Sequence, residues 1–373
     1  MPPGCQSPGP VIERHRNGLI LSWVRDRYDR LLRCNARMEM KSMQAIEGCT
    51  ANEAWCNARA LFQAPDVGEW VEGRGGRTRE VLHVVCNIRH PLQRWTIARA
   101  PAINPAFAIA ELIWILNGRD DSAFLNRWNS KLPSFAGEGA KYDGAYGARL
   151  RNRFGVDQIR RVCDALSSNP GSRQAVLQIW DAASDLPLPD GLPASPDVPC
   201  NVCSLLKIRG GKLEWSQVLR SNDLFLGLPY NFIQFTFLQE ILAGCLQVGV
   251  GNYCHFSDSL HVYERDIERF GKVELATPAV NTDQLNAPLE LSDQYFRELA
   301  NAAEFFGDTS SNEYCQIASD IQVPEPYRNL ALIMAAESSR RRRMVDEIEN
   351  CLLACTNPAL TQIYRFWLHS RPT

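Results

Sequence analysis

The chain has 373 residues, of which 45% are apolar, and a formal net charge of −2. That length suits one large domain with appendages or two domains, and the near-neutral balance argues against wholesale electrostatic binding to nucleic acid. No apolar run reaches the roughly 20 residues that cross a bilayer, and the start MPPGCQSPGPVIERHRNG lacks the apolar core of a secretory signal, so a soluble, cytoplasmic protein is expected.

In chain order, residues 1–18 are rich in proline and glycine and read as unstructured. From Leu19 to Leu32 the apolar Leu19, Ile20, Trp23, Val24, Leu31 and Leu32 recur near helical spacing, which predicts an amphipathic helix. Thr50–Gln63 predicts a helix capped by Thr50 or Asn52. Arg79–Ile88, dense in Val, Leu and Ile, predicts a strand. Ala106–Gly118 predicts a mostly buried helix closed at Asn117-Gly118. Gln174–Asp181 predicts a further strand, followed by the proline-rich loop LPLPDGLPASPDVP. Two strands flank Gly210-Gly211, a pair suited to a hairpin turn with positive φ at both residues. Asn231–Gln247 is apolar on most faces and predicts a central buried helix. Beyond residue 290 mixed-charge helical segments return. There Arg340–Arg343, ahead of Asp346, Glu347 and Glu349, reads as a solvated, ion-paired helix face. Strands and helices do not alternate regularly, so an α+β fold is expected.

The chemistry concentrates in DVPCNVCSLLKIRGGKLEWSQVLRSNDLFLGLPYN, from Asp197 to Asn231. Cys200 and Cys203 have the spacing of a zinc or redox pair. Zinc needs four ligands, and no second CxxC or HxxxH completes the set, so no metal is expected. A redox pair opens a helix, whereas Cys203 falls inside a strand. The thirteen cysteines are odd in number and irregularly spaced, and most read as small buried apolar groups. The neighbours of Cys200 instead favour a nucleophile. Arg220-Ser221 offers a guanidinium and a hydroxyl suited to phosphate. Asp223 and Asn231 flank a Gly-Leu-Pro turn and can recognise an amide-like edge. His261 and Tyr263, on one strand face, suit a sugar hydroxyl.

These motifs resemble the thymidylate synthase family. Pro199-Cys200, Arg220-Ser221-Asn222-Asp223, Leu226-Gly227-Leu228-Pro229-Tyr230-Asn231 and His261-Val262-Tyr263 follow its order. Upstream, AELIWILNG resembles the helix of the catalytic glutamate, here Glu111, and GAYGARLR the active-site tyrosine segment, here Tyr146. SRQAVLQIW resembles the strand whose arginine, here Arg173, crosses a dimer to the partner's phosphate. GRGGRTRE resembles the flexible phosphate loop, with Arg74 better placed than Arg77. The resemblance implies an α+β thymidylate synthase-like fold, a mixed sheet with a buried central helix, forming a catalytic domain over 50–290. An N-terminal extension over 1–49 and a helical C-terminal extension over 291–373 flank it.

The resemblance also implies a chemistry. Cys200 adds to C6 of a pyrimidine and makes C5 nucleophilic. Arg74, Arg173, Arg220 and Ser221 clamp the phosphate, Asn231 reads uracil, and His261 and Tyr263 take the 3′-hydroxyl. Glu111 and Tyr146 assist proton transfer. Asp223 and Gly227 hold the cofactor, 5,10-methylenetetrahydrofolate. The leading expectation is a homodimer that methylates dUMP to dTMP. Hydroxymethylation of dUMP or (d)CMP is the alternative, and an inactive nucleotide- or RNA-binding homologue the third.

Several positions depart from the family pattern. The histidine after the nucleophile is Asn201, the glutamine before Arg-Ser is Leu219, the second cross-dimer arginine is Gln174, and the aspartate before the ribose histidine is Ser259. WNSKLPSFAGEGAKYDG replaces a Trp-x-x-Trp segment, with Pro133 and Ala136 near the corresponding positions. Helices run on to YRFWLHSRPT where a short closing tail is typical. Loss of that cofactor wall opens the hydroxymethylating route, because water access decides between the two outcomes.

Overall fold

In a computed structural model of the chain, residues 43–64, 66–73, 75–271 and 276–370 are described. The helix expected over Leu19–Leu32, and Arg74, lie outside the described residues. The strands are β1 (Gln44–Gly48), β2 (Glu69–Gly73), β3 (Gly76–Ile88), β4 (Val176–Gln178), β5 (Asn201–Arg209), β6 (Lys212–Leu219), β7 (Asn222–Asp223) and β8 (Gly249–Tyr263). They form one mixed sheet in the order β1-β3-β8-β6-β5-β4, with β2 beside β3 and β7 beside β8. β1 falls in the stretch assigned from sequence to the N-terminal extension, and pairs in parallel with β3 from Gln44↔Val84 to Gly48↔Ile88.

The main helices are α1 (Ala51–Gln63), α2 (Pro105–Leu116), α3 (Ser122–Trp128), α4 (Gln158–Ser168), α5 (Gly227–Cys245), α6 (Leu289–Asp308), α7 (Tyr314–Asp320), α8 (Glu325–Arg341), α9 (Val345–Ala354) and α10 (Pro358–His369). Local chemistry sets several of their ends. Thr50 is the cap of α1: its hydroxyl accepts from the Glu53 N–H while Glu53 accepts from the Cys49 N–H, a reciprocal pair. Asn104 caps α2 ahead of Pro105, whose missing N–H costs nothing at a first helical position. α5 begins a turn earlier than the sequence predicts, with Pro229 tolerated in its first turn for the same reason. Gly210 and Gly211 adopt φ of +54° and +72°, the geometry expected of the β5–β6 hairpin.

Two expectations are corrected. The strand over Gln174–Asp181 shrinks to β4, because the N–H groups of both Ile179 and Trp180 turn to the single carbonyl of Val202 and break the ladder. The i,i+4 pairing expected of Arg340–Arg343 is present, but it runs to the upstream Glu337 and not to the acids that follow. α8 ends at Arg341, and Arg340 and Arg341 both bind the upstream Glu337, a carboxylate only 1% exposed that also receives the Trp367 indole N–H at 3.3 Å. Arg341 further donates to the carbonyls of Arg127 and Trp128 at the end of α3, and Arg342 to those of Phe306, Ser338 and Thr309. A buried carboxylate and orphan helix-end carbonyls require donors, and the arginines supply them.

A second buried pair ties α5 to the segment ahead of the last helices. Arg94 meets Glu240 of α5 at 2.6 Å, and the other Glu240 oxygen accepts the Leu285 N–H at 2.8 Å. Among the described residues no helix is long and apolar enough to cross a membrane. Glu240→Ala leaves Arg94 buried without its partner and is expected to destabilise the protein by about 3–5 kcal/mol. Glu349→Ala, which frees the partly exposed Arg365, is expected to cost under about 1 kcal/mol. Urea unfolding of both variants checks the contrast.

Candidate active site

Cys200 is a half-buried cysteine, in no disulfide, immediately before β5. The segment that delivers it is tied down on both sides. Asp197 accepts the Gly144 N–H at 2.7 Å, and Ser195 donates to Asp143 at 2.6 Å. Arg220 donates to the carbonyls of Pro199 at 3.0 Å and Val198 at 3.1 Å, and its backbone N–H donates to the Cys200 carbonyl. The exposed guanidinium is thereby drawn to the nucleophile segment and lies 5.3 Å from the centre of the Trp180 ring.

Tyr146 opens a short helical turn that packs on α2. Gly147 permits this contact, since a Cβ there would stand 2.5 Å from the Ile115 carbonyl oxygen. Burial pushes the Tyr146 hydroxyl up, the nearby Cys200 adds to that, and the Asn201 side chain opposes it; Asp197 and Glu111 raise it further. Tyr146 thus lies within electrostatic reach of both Cys200 and Glu111. α2 is buried everywhere except at Glu111, whose Oε2 is nevertheless shut from solvent without a hydrogen-bond partner. Burial raises Glu111 to about 7, against a smaller lowering by its hydrogen bond to Gln234. A carboxyl that titrates near neutrality can both give and take a proton.

Asn231, in the second turn of α5, faces the sheet. Its Oδ1 accepts from Asn201 Nδ2 at 3.2 Å and its Nδ2 donates to Asn222 Oδ1 at 3.1 Å. These bonds belong to a longer buried row. Gln217 Nε2 donates to Asn201 at 2.9 Å, and Gln217 Oε1 accepts from Ser204 at 2.6 Å and the Trp215 indole at 3.1 Å. At the other end Asn222 Nδ2 meets His255 Nε2 at 2.8 Å, and His255 Nδ1 meets the Tyr253 hydroxyl at 2.8 Å. Burial pushes His255 down to about 3, so the ring is neutral at physiological pH. Asn231 keeps one amide proton and one carbonyl lone pair uncommitted, a donor and acceptor for a base edge.

His261 and Tyr263 stand at the end of β8 with ring centres 5.5 Å apart. Burial lowers His261, against a raising effect of Asp223. A Cβ on Gly75 would lie 2.6 Å from the Tyr263 hydroxyl, so the loop that follows Arg74 closes onto this tyrosine. Arg77 is engaged by Glu264 at 3.2 Å and by the Trp70 ring at 4.5 Å. Asp223 Oδ1 accepts the backbone N–H groups of Phe225 at 2.6 Å and Leu226 at 3.0 Å, and burial raises its carboxyl. Gly227 leaves room for the amide row, since a Cβ would stand 2.8 Å from Asn222 Oδ1. Ser221 is half-buried beside Arg220, and Arg173 is exposed ahead of β4.

The family model described as thymidylate synthase matches residues 66–297, more than half of the chain. The chain belongs to the thymidylate synthase family. Among curated relatives, a deoxyuridylate hydroxymethyltransferase of Bacillus phage SP01 is 37% identical over 210 residues, covering 53% of this chain and 54% of that protein. Another, of Pseudomonas phage M6, is 33% identical over 239 residues, covering 63% and 67%. The chain therefore spans about half the length of the first relative and two thirds of the second.

Within this thymidylate synthase scaffold, Tyr146 lies within electrostatic reach of Cys200 and Glu111, and Asn201 links it to Asn231. Motif reading passes over Ser204, Trp215, Gln217, Asn222, Tyr253 and His255. Ser204, Gln217 and His255 occupy one lateral row of the sheet, Ser204↔Gln217↔His255, on its helix-facing side. The available signal was three polar residues at inward positions of otherwise apolar strands, and only the pairing register brings them together.

The Glu111 carboxyl ionises at a higher pH in the folded protein than in the unfolded chain. The folded state therefore holds an extra proton between about pH 4.5 and 7, and stability falls as pH rises through that window. Glu111→Gln is expected to abolish this loss and to exceed the native protein in stability above pH 7 by at most about 3 kcal/mol. Denaturant unfolding as a function of pH checks the sign.

Proposed function

We propose that this protein hydroxymethylates C5 of dUMP, as the names of its phage relatives suggest for those proteins. The observation that carries the reading is the grouping of an accessible thiol at Cys200 with Glu111, poised near neutrality, and the base-reading Asn231. Arg220, Ser221, Arg173 and Arg74 clamp the 5′-phosphate, and His261 and Tyr263 take the 3′-hydroxyl. Cys200 Sγ bonds to C6, and the displaced electron pair moves to C5 and O4, where the Asn231 amide proton stabilises the charge.

5,10-Methylenetetrahydrofolate, when bound, supplies a one-carbon unit at the oxidation level of formaldehyde. Asp223 suits the donor-rich edge of its pterin: two backbone N–H groups fix one carboxyl oxygen and leave the other available. Gly227 keeps the adjoining helix start narrow. Once C5 carries the new carbon, Glu111, assisted by Tyr146, takes the C5 proton and would return it to the departing folate amine, so that tetrahydrofolate leaves and an exocyclic methylene remains on the pyrimidine. Water then adds to the exocyclic methylene of the pyrimidine, Glu111 accepts its proton, and C6 expels the Cys200 thiolate. No hydride is required.

Hydroxymethylation is favoured over methylation by the exposed turn at Pro133–Ala136, where Phe135 points to solvent and offers no closed aromatic wall. The face of the sheet away from the helices carries a half-buried row, Cys203↔Val218↔Phe256↔Val85, suited to a second copy of the chain. Arg173 lies exposed ahead of the edge strand on this sheet and would reach the partner's phosphate.

Cys200→Ser is expected to abolish turnover and to change dUMP affinity by less than about tenfold. Mass spectrometry of the nucleotide product, with dihydrofolate followed by absorbance, separates the outcomes. Hydroxymethyl product without dihydrofolate supports the reading, and methyl product with dihydrofolate returns the protein to dTMP synthesis. For the second copy, Phe256→Asp is expected to convert a dimer to a monomer in light scattering; a monomeric native protein would remove Arg173 from the site.

A further inference from the structure

The buried amide row has a direction, and that direction is set at one end. Asn, Gln and His side chains can each be turned round, so a chain of them can run either way with every group satisfied. His255 gives no preference. With its proton on Nδ1 it accepts from Asn222 and donates to Tyr253; with its proton on Nε2 it donates to Asn222 and accepts from Tyr253. Ser204 and Ser257 are equally indifferent, since a hydroxyl turns to donate or accept. Trp215 is different, because an indole N–H can only donate.

From Trp215 the consequences run along the row, since its side bonds, Asn201 with Tyr146 and Asn222 with Ser257, go to hydroxyls and impose no direction. Gln217 must present Oε1 to the indole, so its Nε2 faces Asn201 Oδ1. Asn201 must then present Nδ2 to Asn231 Oδ1, and Asn231 must present Nδ2 to Asn222 Oδ1. Asn222 presents Nδ2 to His255 Nε2, which has to be unprotonated.

We propose that Trp215, acting through Gln217 and Asn201, locks the amide orientation of Asn231 and thereby fixes which pyrimidine edge the site accepts. Uracil offers N3–H as donor and O4 as acceptor; cytosine offers the reverse. With the ring held at C6 and at its phosphate, an Asn231 that cannot turn matches only one of them. Trp215 and Gln217 are positioning residues that touch no reactant. The inference rests on the dUMP reading above for the identity of the preferred base, but not for the direction of the row.

The test reads the direction and the base preference separately. ¹⁵N NMR of His255 in the full chain is expected to find its proton on Nδ1. Gln217→Glu changes one group: once ionised at pH 9, the new carboxylate can only accept, which turns Asn201, Asn231 and Asn222 round and moves the His255 proton to Nε2. Trp215→Phe removes the obligate donor, frees the direction and is expected to give both tautomers; it carries the test if Gln217→Glu does not fold. In Trp215→Phe the ratio of dUMP to dCMP dissociation constants, by calorimetry, is expected to narrow about tenfold, the scale of one mismatched buried hydrogen bond. A native His255 proton on Nε2, or one that stays on Nδ1 in both variants, overturns the locked direction. A tautomer that moves while the base ratio stays constant overturns the link to base choice and leaves the direction standing. A native protein that prefers dCMP overturns the dUMP reading instead.

Discussion

A polar group taken out of water has to find a partner, and the centre of this protein is organised by that demand. α5 is buried along nearly its whole length yet carries Asn231, Gln234, Thr236, Gln239 and Glu240 into the interior. Each constrains how the helix can sit. Asn231 must meet Asn201 on one side and Asn222 on the other, and Glu240 must meet Arg94. Gln239 donates to the carbonyls of Leu213 and Gly251 on neighbouring strands. Together these bonds fix the rotation and height of α5 over the sheet, which apolar packing alone would leave looser. The group suited to reading a base is thereby held in fixed relation to the start of β5 and to Cys200.

The same loss of solvent sets the protonation of the groups around the thiol. Tyr146 is kept protonated, and Glu111 is brought to the range in which it can exchange a proton at neutral pH. Both shifts arise mainly from desolvation, so they depend on the packing of Tyr146–Ala148 against α2. That packing is held by a further buried ion pair. Arg149 meets Asp185 and also donates to the carbonyls of Asp143 and Ile179, joining the tyrosine segment to the end of the β4 region.

The C-terminal helices are part of the same economy of buried charge. Glu337 gathers Arg340, Arg341, Tyr364 and Trp367, so α8 and α10 share one carboxylate. Arg341 then closes the end of α3, just ahead of the segment Asn129–Gly137. The arginine run owes its placement to these acceptors. A pattern of charges along one helix discloses Glu337, three and four residues upstream, but not the carbonyl acceptors of Arg127, Trp128, Phe306 and Thr309.

Much was legible in the chain itself. Capping at Thr50, the Gly210-Gly211 turn and the mostly apolar α5 are set by neighbours a few residues apart, where local geometry decides. The Cys200, Arg220, Asn231 and His261 motifs are equally local and carried the family. What stayed hidden depends on distance along the chain. β4 is short because two N–H groups compete for one carbonyl of another strand, and Ser204, Gln217 and His255 become neighbours only through the registers of β5, β6 and β8. The sequence by itself determined the family and which residues are candidates for reactive chemistry. The tertiary structure alone decided how they are oriented and protonated, because hydrogen-bond direction and desolvation belong to groups brought together from separate strands and helices, and no local stretch contains both members of such a pair.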